Sequence, residues 1–140
     1  MAIRREALLW LRAAEEDMAD AEDALARRRW FRAAFYAHQA VEKALKSLYF
    51  TVLRREPPRL HVISELYRPL REAGFRLPGD LEEAIAVLNK YYTVTRYPDA
   101  AGGLPSEAVD EVEARRAVGI ARRVLEEARR VLLEQGADGG

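Results

Sequence analysis

The sequence predicts an all-α fold, an antiparallel up-and-down bundle of four to five helices. Three observations carry this expectation. Apolar residues recur at i, i+3, i+4 and i+7 over long stretches, the period of a helix with one buried face. No stretch alternates apolar and polar residues as a half-buried strand does. The periodic segments are separated by short breaks rich in proline and glycine, which suits helices that turn back on one another.

The first helix is expected over roughly residues 3–28. Ala7, Leu11, Ala14, Met18, Ala21 and Leu25 form its buried stripe, while Glu16, Asp20 and Asp23 make the opposite side acidic. The run "ARRRW" ends it with cations, which are favourable at a helix C-terminus. The second helix is expected over about residues 30–54. At about 100° per residue its side chains fall into three arcs. One is a wide stripe that includes Phe31, Ala34, His38, Val41, Glu42, Leu45 and Leu48. The next holds only small residues: Ala33, Ala37, Ala40, Ala44, Ser47 and Thr51. Arg32, Gln39, Lys43 and Lys46 share the third with Tyr36 and Phe50. Such a helix packs on two sides, at the centre of the fold or at a dimer interface.

Pro57 and Pro58 break the chain, because proline lacks the N–H and clashes with the preceding turn. A short helix is expected from about His61 to Ala73, stopped by Gly74. The fourth starts at "LPGDLEEA", with Asp80 as its cap and Glu83 reaching back in a capping box. Leu81, Ala84, Ile85, Leu88 and Tyr92 give its buried side, and it ends before Pro98. After "PDAAGGLP", Ser106 is expected to cap a last long helix to about Leu133, with Ala117, Ile120, Val124, Ala128 and Val131 facing inward. Residues 1–134 thus make a single domain, and residues 135–140, "GADGG" preceded by Gln135, a disordered tail.

Composition narrows the function. Of 140 residues, 49% are hydrophobic and 33% charged, an ordinary globular balance without the signature of disorder. Lys plus Arg equals Asp plus Glu at 23 each, so the chain is no general nucleic-acid coat; only a local patch would bind phosphate. With no cysteine there are no disulfides or thiolate metal sites. No apolar run reaches the ~18 residues of a membrane helix, and the N-terminus turns acidic too soon for a signal peptide. A cytoplasmic protein without membrane contact is the expectation. "AAGGLP" lacks the Gly-Lys-Ser/Thr of a phosphate-binding loop. No Glu-x-x-His pair supports a di-iron bundle, and His38 and His61 on separate elements do not make a zinc site. No metal and no cofactor is therefore expected.

Two stretches carry polar groups where core residues belong. In "FYAHQAVEKALKSLYF", His38 and Glu42 stand four apart on one helix face and meet. The carboxylate favours the imidazolium form of His38. The pair either lines a pocket or is a satisfied polar pair in the core, joined by Asp17. Gln39, Lys43 and Lys46 lie beside it, as a phosphate site or a solvated face. In "YYTVTRYPD", Tyr91, Tyr92, Arg96 and Tyr97 crowd one helix end, with Asp99 just beyond Pro98. Arginine grips phosphate with two donors and a tyrosine face stacks on a base; the alternative is an aromatic helix end with Arg96 paired to Asp99.

The order "AEEDMADAEDAL", "RRRWFRAAFYAHQAVEKALKSLYF", "LHVISEL", "TVTRYPD" and a closing amphipathic helix resembles the HEPN family, the higher eukaryote and prokaryote nucleotide-binding domain, over about residues 5–132. The resemblance implies a helical bundle that forms a homodimer or higher homo-oligomer. It also implies a partner, a small separately encoded nucleotidyltransferase, in a toxin–antitoxin-like system. Some members are metal-independent ribonucleases that carry an arginine followed, after four to six residues, by a histidine. Here the window after Arg96 reads "YPDAAGGLP", with no histidine, and the Arg-x5-His match inside the second helix, Arg32 to His38, puts its side chains on well-separated sides of that helix. The expectation is therefore a non-enzymatic binding module for a nucleotide or RNA. Its ligand residues are His38, Gln39, Glu42, Lys43, Lys46, Arg96, Tyr97 and Asp99: Lys43, Lys46 and Arg96 on phosphate, Tyr97 on a base, His38 and Glu42 in support. The alternatives are a ribonuclease toxin using His38 and Arg96, and a purely structural helical oligomer.

Overall fold

The structure, a computed structural model, describes the backbone of residues 2–94 and 104–139, and within it the side chains of residues 4–92, 104 and 107–134. The described residues are helical with no strand. Three long helices make the bundle: α1 (Ala2–Ala26), α2 (Trp30–Leu48) and α7 (Glu111–Gly139), with α2 packed against both of the others. Alanine sets their close approach. Ala7, Ala14 and Ala21 of α1, Ala33, Ala37, Ala40 and Ala44 of α2, and Ala114, Ala121 and Ala128 of α7 are fully buried. The small-residue stripe of α2 thus finds its neighbours inside one chain, and α2 is the central helix of the fold, the first of the two places its pattern allows.

α1 ends two residues earlier than expected, in a Schellman turn: the Arg29 N–H donates to the Ala24 carbonyl at 2.8 Å and the Arg28 N–H to Leu25 at 3.0 Å. α2 continues into a π-helical turn, Tyr49–Leu53, closed by Arg54 in the left-handed region at φ 53°. From that turn Tyr49 donates its hydroxyl to the Leu66 carbonyl at 2.8 Å, tying the end of α2 to α3 (Ile63–Glu72). α3 starts after His61, not at it, so His61 lies in the extended lead-in with its backbone carbonyl free of the helix. Asn89 fixes this start, accepting the Ile63 N–H at 2.7 Å and donating to Ser64 Oγ at 3.2 Å. Gly74, at φ +108°, stops α3 as expected.

The expected fourth helix is broken into α4 (Gly79–Ala84), a 3₁₀ turn (Ile85–Leu88) and α5 (Asn89–Val94). The 3₁₀ turn advances about 120° per residue instead of 100°. This overwinding rotates the following turn, so Tyr91 enters the core at 2% exposure and Tyr92, expected inside, stands at its edge. Two expected caps are replaced. Asp80 makes no cap and holds Arg123 of α7 in a two-pronged ion pair at 2.7 and 3.1 Å. Ser106 falls within a separate short helix, α6 (Pro105–Ala108), and Asp110 caps α7, accepting the Glu113 N–H at 2.8 Å. Among the described residues no helix is long and apolar enough to cross a membrane.

Candidate functional site

The polar residues of α2 converge with the lead-in to α3. His38 is fully buried. Its Nε2–H donates to the His61 carbonyl at 2.8 Å, which a residue inside a helix would not offer. Its Nδ1 lies 3.3 Å from the Gln39 side-chain amide and 3.9 Å from the Glu42 carboxylate. The neighbouring carboxylate predicts an imidazolium, and the structure reverses this. Burial is the largest influence and lowers the His38 pKa from its ordinary 6.5, outweighing the His61 carbonyl and Glu42, which act to raise it. His38 is a neutral, structural hydrogen-bond partner.

Glu42 is the hub. It is 6% exposed and takes two cationic or N–H partners at once: Lys46 Nζ at 3.0 Å, one helical turn on, and His61 Nδ1 at 3.2 Å. Lys46, placed by its arc on the open side of α2, is instead buried at 6% exposure, its ammonium between Glu42 and the ring of Trp10, 5.7 Å from the ring centroid. The long stem spans the seam between arcs. Lys43 stays half-buried and pairs with Asp17 of α1 at 2.7 Å, so Asp17 joins Lys43 and not His38 or Glu42.

His61, absent from the sequence-derived set, is the residue of this network that reaches solvent, with a side chain 47% exposed. Tyr92 stacks flat on it, ring centroids 4.4 Å apart and planes 9° from parallel, and also lies 5.7 Å from the His38 ring. Nδ1 is held by Glu42, so the ring nitrogen left for a further partner is Nε2. No other residue among those described engages that atom. The signal for His61 in the sequence is slight: it is one of two histidines, nineteen residues from its carboxylate and outside any helix. Arg96, Tyr97 and Asp99 lie outside the described residues. Arg32 is exposed while His38 is buried, so the Arg32–His38 match does not assemble a site. Among the described residues no group of three or more His, Asp or Glu side chains is placed to hold a metal ion.

The sequence motifs, the α1–α2–α7 bundle and this network can be set against known proteins. A family model described as HEPN domain matches residues 7–131. The chain belongs to the HEPN family. Two solved structures share the fold of this HEPN chain. TT1696 from Thermus thermophilus is 35% identical, with a TM-score of 0.81, over 90% of this chain and 98% of that one. ST0689, described as an archaeal HEPN homologue, is 30% identical, with a TM-score of 0.72, over 91% of this chain and 98% of its own. Among functionally curated proteins none matches the chain.

Proposed function

We propose that this HEPN chain is a binding module for a nucleotide or polynucleotide, acting in the cytoplasm with a small nucleotidyltransferase as partner, in a toxin–antitoxin-like pair. One observation carries the binding reading: His61 is oriented by a buried carboxylate, covered on one face by Tyr92, and half exposed, with no described residue hydrogen-bonded to its second ring nitrogen. An exposed side chain held this firmly has lost its rotamer freedom in advance, which is what preorganised recognition requires. In this reading His61 and Tyr92 meet the ligand, Gln39 and Lys43 border them, and His38, Glu42 and Lys46 hold His61 in place. Arg96, Tyr97 and Asp99 follow Tyr92 closely in the chain and complete the site, Arg96 on phosphate and Tyr97 on a base.

Isothermal titration with a panel of nucleotides and short oligonucleotides tests this. Binding that His61→Ala abolishes supports it, and no heat at millimolar ligand from folded protein ends it. Copurification of a small nucleotidyltransferase with the tagged chain tests the partner. Light scattering tests the homodimer or higher homo-oligomer, against a chain mass of 15.9 kDa.

The same atom favours one second reading, a metal-independent ribonuclease. An imidazole whose Nδ1–H is fixed by a carboxylate presents Nε2 as a general base. In it His61 replaces His38, which is buried out of reach of RNA. RNA left intact in chelator removes it; cleavage lost in His61→Ala establishes it.

A further inference from the structure

The turn between α1 and α2 carries a second group of side chains that the network does not use. Arg28 occupies the left-handed region at φ 62°, the position after a helix where glycine is favoured and any Cβ is strained. Its guanidinium lies 5.7 Å from the centroid of the Trp30 ring. Both residues line an open cleft of about 570 Å³ between the end of α1 and the start of α7. The carboxylates around it are already matched: Glu22 pairs with Arg122 at 2.7 Å, Glu111 with Arg115 at 2.8 Å, and Asp23 with Arg27 at 3.1 Å. Arg28, Arg29 and Arg32 are all exposed, and none of them pairs with a carboxylate among the described residues. Arg32 repeats the arrangement of Arg28, with its guanidinium 5.8 Å from the Phe31 ring centroid.

We propose that this turn and cleft bind single-stranded nucleic acid, with Arg28, Arg29 and Arg32 on successive phosphates and Trp30 stacking an unpaired base at the cleft wall. Three guanidinium groups without a carboxylate partner on one short turn supply a local cation excess in a chain of zero net charge, and arginine is the side chain best matched to phosphate oxygens. An aromatic face on the cleft wall points to a planar base rather than to an acidic peptide, and a base in a duplex would not present its face to it. A strained arginine where glycine would sit at ease is a sign of function retained against stability. The surface is separate from the His61 network, since Trp30 and Glu42 are about 18 Å apart along α2, and it stands without that site.

The test uses the full chain and fluorescence anisotropy with end-labelled oligouridylate and oligothymidylate of a dozen residues, across roughly 50–200 mM salt. Three phosphate contacts predict a slope of log affinity on log salt near −2, at about −0.7 each. Arg28→Gly is expected to lower that slope by about 0.7 and weaken binding severalfold, while its thermal midpoint stays level or rises. Arg32→Gln is expected to behave alike in binding, and His61→Ala to leave it unchanged. A preference for oligouridylate assigns RNA, and equal binding assigns the shared backbone; both support the proposal. No binding at the lowest salt, wild-type binding by Arg28→Gly and Arg32→Gln, equal competition by duplex, or loss in His61→Ala alone would each overturn it.

Discussion

Replacing Glu42 by glutamine removes the charge that keeps Lys46 folded inward. Both residues are 6% exposed, and the ammonium and carboxylate stand 3.0 Å apart. Breaking a buried pair by removing one partner costs ~3–5 kcal/mol, because the other charge is left desolvated without compensation. The glutamine carbonyl still accepts from Lys46, which places the variant near the lower figure. Against a total stability of about 5–15 kcal/mol for a domain, this is a large fraction, and it lowers the thermal midpoint by about 10–15 °C. Lys46→Met is expected to cost less, since Glu42 keeps His61 Nδ1 at 3.2 Å as a second partner. The double variant is expected to be more stable than the sum of the two changes by at least about 1 kcal/mol. Urea unfolding followed by helical circular dichroism at neutral pH measures all four species of the cycle. Glu42→Gln within about 0.5 kcal/mol of wild type, or simple additivity, would refute the reasoning and return Lys46 to the class of exposed pairs that contribute little.

Burial holds His38 below its ordinary pKa of 6.5, so the folded chain binds fewer protons there than the unfolded chain once the pH falls below 6.5. Stability is therefore full above that pH and declines below it toward the folded value, by up to about 1.4 kcal/mol per pH unit for this group; a pH series in urea checks this, and His38→Gln is expected to lose that part of the slope. Asp110→Ala is expected to cost about 1 kcal/mol by uncapping α7, whereas Ser106→Ala leaves that cap intact; urea midpoints of the two variants compare them. Burial, reinforced by Glu113, pushes the Tyr91 phenol up to about 12, so in an ultraviolet titration Tyr91→Phe is expected to remove a late-titrating tyrosine.

Periodicity made the bundle legible. Ala7, Leu11, Ala14, Met18 and Ala21 are buried as their spacing says, and so are Ala33, Ala37, Ala40 and Ala44. The HEPN motifs were legible as well, since "HQAVEKALK" sets His38, Glu42 and Lys46 on one stretch of α2. What one-dimensional spacing misses are partners brought in from a distance. Asp80 reads as a cap until Arg123, 43 residues away, claims its carboxylate. A single 3₁₀ turn exchanges Tyr91 and Tyr92, because four slightly overwound residues move everything after them. The Cα–Cβ bond of Lys46 points to the third arc, but its stem is long enough to cross to the neighbouring arc and reach Glu42. His61 was hidden for the opposite reason: it belongs to no helix, and its importance comes from a loop carbonyl, a carboxylate and a tyrosine ring that only the fold assembles.

The most direct test of the central claim uses the fact that the chain has two histidines. Nitrogen-15 spectra of both imidazole rings, recorded while ATP, GTP or a uridine hexanucleotide is added, report each ring separately. A saturable shift at His61 Nε2, with His38 unmoved, is the predicted result. Two unmoved rings at millimolar ligand, or a shift confined to His38, would contradict the assignment of His61 as the residue through which this HEPN domain meets its ligand.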